Sequence, residues 1–117
     1  DKYNGELLVG QAEIIETNHS EIPYCISAPT MRVPMILKES VNVYLSAKAI
    51  FNLIKNEIRF NSVTISGLGT GVGQIPYNLC ALQMKKAYNE VFVNAEYPKS
   101  WIHAQRDHYT MIYPGVA

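Results

Sequence analysis

Four of the chain's seven glycines fall at every second position in one short segment, Gly67-Leu68-Gly69-Thr70-Gly71-Val72-Gly73. So many glycines cost more backbone entropy than a simple turn requires. They let the backbone take left-handed conformations and bring its N–H groups close to a guest. Successive N–H groups of this kind form a concave anion site. The segment is followed by a helical pattern from Pro76 to Phe92. The start of that helix adds free donors and a partial positive charge. Phosphate suits such a cradle without any lysine.

The spacing excludes three better-known loops. A P-loop continues with Lys and then Ser or Thr, whereas Gln74 and Ile75 follow Gly73. The pattern G-x-G-x-x-G fits in neither register, and no second strand carrying a carboxylate follows. A G-x-S-x-G elbow would need glycine where Thr64 stands, so a serine hydrolase is not supported.

Periodicity supplies the setting. Leu7 to Thr17 reads as a strand interrupted near Gly10, and Tyr24 to Ala28 as a buried strand between two prolines. Pro29 to Ser40 reads as a loop. Val43, Ala47, Ile50 and Ile54 recur at helical spacing within Asn42 to Asn56, with Ser40 or Asn42 as the cap. Val63 to Ser66 is β-branched and reads as a strand leading into the glycines. Cys80, Met84, Ala87 or Tyr88, and Val91 share one face of the second helix. Beyond it, a short helix is expected around Trp101 to His108 and a closing strand near Tyr109 to Tyr113. The order gives an α/β fold, a sheet covered by helices, in a single domain over residues 1–117 with 93–117 as a C-terminal extension.

Composition narrows the function classes. The chain has 117 residues, 48% hydrophobic and 17% charged, which is enough for a packed core. Ten basic residues balance ten acidic ones, so the basic excess of a nucleic-acid binder is missing. No apolar run reaches the roughly 20 residues of a membrane span. The polar start Asp1-Lys2-Tyr3-Asn4-Gly5 does not read as a signal peptide. Cys25 and Cys80 lie far apart and read as buried reduced thiols, which points to the cytoplasm.

At the glycines the chain resembles a macro domain. Ser62 to Pro76 (SVTISGLGTGVGQIP) is similar to that family's last core strand and diphosphate loop. The usual loop runs Ser-Thr-Gly, an aliphatic residue, an aromatic, Gly, any residue, Pro. Thr70, Gly71, Val72 and Pro76 match it, whereas Gly73 stands for the aromatic and Gln74 for the glycine. Gly5 to Ala12 resembles the family's Val-Gly-Glu-Ala segment, and Ile22 to Pro29 its next strand. Pro29 to Arg32 resembles a divergent branch, and Cys80-Ala81 and Ala87-Tyr88 suit the helix after the loop.

The resemblance implies a mixed sheet flanked by helices, binding of ADP-ribose or an ADP-ribosylated molecule, and neither metal nor cofactor. It assigns Gly69, Thr70, Gly71, Val72, Gly73 and Gln74 to the diphosphate. ADP-ribosyl or ADP-ribose-phosphate hydrolysis also occurs in the family. However, the Asn-Ala-Ala-Asn loop and the triple glycine of its N-terminal part are not in this sequence, so the fold is expected to be truncated on that side. One hydrolase branch carries an Asp nucleophile in this loop, where Gly73 stands here.

Remaining candidates are weighed individually. Arg32 follows the Tyr24–Ala28 strand and is a bidentate partner for phosphate, or else a surface ion pair. Thr30 is a similar candidate, and Asn42 reads as a cap. His19, His103 and His108 lack a paired carboxylate and read as solvated or locally bonded. Trp101, Tyr97, Tyr109 and Tyr113 stack on a base, or pack on the sheet or on a partner chain. The alternative function is structural: a sheet with unpaired edges associates with a second copy.

Overall fold

The computed structural model describes residues 2–115; Asp1 at the polar start and Val116 and Ala117 at the end lie outside them. In order the elements are β1 (Glu13–Glu16), β2 (Tyr24–Ser27), α1 (Asn42–Lys55), α2 (Tyr77–Phe92) and α3 (Trp101–Ile112). Strands and helices together make an α/β fold. Its sheet is an antiparallel pair with Glu13 opposite Ser27 and Glu16 opposite Tyr24. Among the described residues no further strand joins it, where a larger mixed sheet is expected.

The two main helices form where their apolar spacing predicts. α1 buries Val43, Ala47 and Ile50, and α2 buries Cys80, Ala87 and Val91. The two pack along each other with Val41, Tyr44, Ala47 and Ala87 at the centre of one apolar cluster. The expected cap is met in part, since Ser40 Oγ accepts from the Asn42 N–H at 3.4 Å. Val41 is the N-cap of α1 and makes no side-chain cap bond. Instead the Tyr44 N–H donates to Gln83 Oε1 of α2 at 3.2 Å. Asn42 Nδ2 donates to the Thr30 carbonyl at 3.0 Å, tying the preceding loop to the helix.

Two buried polar side chains of α2 hold the helices in register. Gln83 is fully buried, and its Nε2 donates to the Ser40 and Met111 carbonyls at 3.1 and 3.3 Å. It thereby joins the start of α1 to the end of α3. Glu90 is 1% exposed and accepts from the Tyr44 hydroxyl, with Lys48 Nζ at 3.1 Å and Lys86 Nζ at 3.5 Å. Lys86 also reaches Asp107 of α3 at 3.3 Å. Buried charge is tolerated here because each carboxylate faces an ammonium group.

Several expectations are corrected. Only residues 13–16 of the Leu7–Thr17 segment form a strand; turns occupy Val9-Gly10, and Gly10 has φ +94°. β2 is partly exposed rather than buried, with Cys25 exposed and Tyr24, Ile26 and Ser27 half-buried, while Cys80 is buried. Val63 to Ser66 is irregular and unpaired, since no neighbouring strand offers it backbone partners. The segment expected as a closing strand, Tyr109 to Tyr113, continues α3 up to Ile112. Helical geometry buries Met111 and Ile112 together against the α1–α2 cluster, which strand alternation would prevent. Ser100 caps α3 by accepting from the His103 N–H at 3.1 Å.

Gln83→Ala strands the Tyr44 N–H and two carbonyls and opens a void. It should cost about 2–4 kcal/mol, read from the midpoint of urea unfolding. Alkali should act on the same seam. Burial and the bond to Glu90 raise the Tyr44 pKa above 10.0. Burial alone would lower Lys48, but its bonds to Tyr44 and Glu90 raise it above 10.5. Both groups bind their protons more tightly when folded. Their contribution is therefore complete below about pH 10 and is lost as pH rises through the folded values. Calorimetry across that range should show the melting temperature falling more steeply in the native chain than in Tyr44→Phe.

Candidate functional site

The glycine segment is shaped from beneath by Leu37, Val43, Ile75 and Cys80, a second apolar cluster. Leu37 is fully buried, and its N–H donates to the Gly73 carbonyl at 2.8 Å. Inside the loop, Ile75 N–H donates to Gly69 O at 3.1 Å and Gln74 N–H to Gly71 O at 3.0 Å. The Thr70 hydroxyl donates to Gly67 O at 2.7 Å. These bonds fold residues 67–75 into consecutive turns lying on the start of α1.

The glycines divide into two kinds. Gly69 has φ +72°, and a Cβ there would stand 2.9 Å from Val43 Cγ2. A Cβ on Gly73 would meet Gly69 O at 2.6 Å and Leu37 Cδ1 at 3.0 Å. Both are demanded by the fold. Gly71 is different, since a Cβ there meets nothing within 4 Å. Gln74 adopts φ +56°, a conformation that costs a non-glycine residue about 1–2 kcal/mol. Its place is the one where the resembling pattern carries glycine, and the backbone shows why.

Several amides of this region have no acceptor. Among the described residues, the N–H groups of Gly71, Val72 and Gly73 donate to nothing. Gly73 is a buried residue, so its idle donor stands out. Gln74, Ile75 and Pro76 alone separate it from α2. That helix begins with Pro76 as N-cap, has no side-chain cap and has no acidic residue in its first turn. The N–H groups of Tyr77, Asn78 and Leu79 are likewise without acceptors among the described residues. Loop and helix start thus offer adjacent donors with no carboxylate competing for them.

Residues 1–84 match the family model of the Macro domain. The chain belongs to the macro domain family. No curated protein and no solved structure matches it. The family match covers both strands, α1, the glycine loop and the first half of α2. Macro domains in general bind ADP-ribose. Among the described residues of this one, no helix is long and apolar enough to cross a membrane.

The other candidates have partners of their own. Arg32 pairs with Glu6 through two bonds, Nε–Oε1 at 2.5 Å and Nη2–Oε2 at 3.2 Å, with most of its side chain in solvent. The guanidinium holds the Glu6 carboxyl below its usual range. The surface ion pair is thus what forms. The Thr30 carbonyl is taken by Asn42. His19 Nδ1 accepts from the Glu21 and Ile22 amides within its own turn. His103 lies 3.8 Å from Asp107, and the His108 ring meets Tyr109 edge-on. No group of three or more His, Cys, Asp or Glu among the described residues could hold a metal ion. Trp101, Tyr97, Tyr109 and Tyr113 stay largely exposed instead of packing on the sheet. Tyr97 lies under the Lys48 ammonium, and the Tyr113 hydroxyl donates to Glu39.

Two features escaped the sequence. Leu37, placed in an irregular proline-containing loop, shows no periodic signal for its role beneath the glycines. A cavity of about 740 Å³ opens between β2 and residues 59–66, with Ile50 and Leu68 among its lining residues. It meets the glycine region only at Ser66 and Leu68.

The contrast between the glycines is testable by thermal melting. Gly73→Ala should destabilise the chain by about 1–3 kcal/mol, because the new methyl group is forced into backbone and Leu37. Gly71→Ala should stay within about 0.5 kcal/mol of the native chain or gain slightly.

Proposed function

We propose that this chain is an ADP-ribose-binding module whose diphosphate rests on the amides of Gly69 to Gly73, with Thr70 and Gln74 at its border. The observation that carries this reading is the set of idle donors at Gly71, Val72 and Gly73, directly before an uncapped helix start. A diphosphate supplies several strong acceptors together. Charge-assisted bonds to backbone N–H groups are roughly twice as strong as neutral ones. The α2 terminus adds about 0.3–1 kcal/mol of dipole attraction for the anion. Arg32 serves only if the ligand draws it from Glu6.

Binding rather than turnover fits the loop. Residues 67–76 contain no Asp, Glu or His. Hydrolysis would depend on a water positioned by the ligand's own phosphates, without an adjacent general base. The domain is read as one unit from 1 to 117, with 93–117 as a C-terminal extension, and it works in the cytoplasm on ADP-ribose or an ADP-ribosylated molecule.

Isothermal calorimetry tests the reading. ADP-ribose should bind with measurable heat, and inorganic pyrophosphate more weakly, while adenosine should give none. Gly71→Val leaves the monomer's packing alone but raises a side chain over the donors. It should weaken ADP-ribose at least tenfold with no loss of melting temperature. Silence from ADP-ribose at millimolar concentration would remove the proposal.

A further inference from the structure

α3 buries side chains at one end only. Met111 and Ile112 are its buried residues, and both lie in its last turn. They join Val41, Tyr44 and Ala47 in one apolar cluster at the first half of α1. The next residue, Tyr113, donates its hydroxyl to Glu39 Oε1 at 3.0 Å. The Met111 carbonyl shares the Gln83 amide group with the Ser40 carbonyl, at 3.3 and 3.1 Å. That amide group carries two hydrogens, so each carbonyl takes one and both fix Gln83. These contacts converge on the chain at and just before the start of α1.

The same stretch carries the glycine loop. Leu37 to Ser40 is a turn, closed by the Ser40 N–H and hydroxyl, which both donate to the Leu37 carbonyl at 3.0 Å. Leu37 opens the turn, and its N–H holds the Gly73 carbonyl. Glu39 and Ser40 close it, and both are held from α3, Glu39 by Tyr113 and Ser40 through Gln83. One turn thus joins the loop to the last turn of α3. The helix lies beyond residue 84, where the family match ends, so this support comes from outside the matched residues.

We propose that α3 and the glycine loop open and close as one unit, with Tyr113 and Glu39 as positioning residues for the loop amides. Undocking the last turn of α3 frees Glu39 and takes from Gln83 one of its two carbonyls. The Leu37–Ser40 turn then loosens, and the Gly73 carbonyl loses its anchor. A loop that the ligand must order for itself binds that ligand more weakly, in proportion to the share of molecules in which it is already ordered. This consequence for affinity rests on the reading of the loop as a diphosphate site; the coupling between helix and loop does not.

Amide hydrogen exchange, read by NMR on the full chain without ligand, tests the coupling. Tyr113→Phe removes only an exposed hydroxyl, so the fold persists. The α3 amides should exchange about two- to fivefold faster, as expected for one lost bond of modest net strength, and the Leu37 and Ile75 amides should speed up by the same factor. The Thr17 amide, bonded to Pro23 in the hairpin, should keep its native rate. Glu39→Ala should reproduce this pattern, and Glu39→Gln, which keeps an acceptor for Tyr113, should restore native rates. Leu37 and Ile75 amides that hold their native rates while α3 speeds up overturn the proposal. A rise shared equally by Thr17 also overturns it, because that marks a general loss of stability. Coupling is reciprocal, so saturating ADP-ribose should slow the Leu37 and α3 amides by one common factor. Slowing at Leu37 alone contradicts the coupling. If ADP-ribose gives no calorimetric heat, the binding reading fails, while exchange in the ligand-free chain still decides the coupling.

Discussion

The contact on which the candidate site rests is Leu37 beneath the glycine loop. Its amide holds the Gly73 carbonyl, and its side chain fills the space that a Cβ on Gly73 would need. Leu37 in turn sits on Val43 of α1, Ile75 and Cys80 of α2. The loop therefore takes its shape from the helix pair. The helix pair takes its register from Gln83, whose amide touches α1, α3 and the chain before α1. Backbone amides make poor anion sites when they are mobile, because each must then be ordered by the ligand. Here ordering is supplied beforehand by packing, and among the described residues the amides of Gly71 to Gly73 have no acceptor.

This arrangement explains the pattern of glycines better than phosphate binding alone. Gly69 and Gly73 answer to sterics: a left-handed backbone at one and a carbonyl against the other's Cα. Gly71 answers to neither, since a Cβ there would meet nothing within 4 Å. Gln74 shows the converse. It occupies a left-handed conformation without glycine's freedom, so this macro domain carries a strain that the commoner loop avoids.

The helices were legible in the sequence, because α1 and α2 each bury a face of regular spacing, and 3.6-residue periodicity records that directly. The strands were less legible. Val63-Thr64-Ile65 has the residue types of a strand, but a strand exists only with a partner, and local composition does not reveal one. Tyr109 to Tyr113, expected as a strand, is a related case. Its aromatic and β-branched residues resemble a strand, yet the pair Met111-Ile112 needs the helical turn to reach the core from one side. Ser100, three residues before the His103 amide it caps, was a readable signal for α3. At the site, Gly69 to Gly73 stood out by spacing. The chain neighbours of Arg32 suggest phosphate, while Glu6, a distant residue in sequence, holds it in space. Leu37 had no sequence signal, since its importance lies in a contact with a backbone carbonyl.

Amide NMR spectra of the ¹⁵N-labelled chain test the central claim most directly. Titration with ADP-ribose should move the Gly71, Val72 and Gly73 amides downfield together with those of Tyr77 and Asn78, as each gains a charged acceptor. Pyrophosphate should move the same set, and adenosine should not. ADP-ribose that binds while these five amides stay in place would contradict the account.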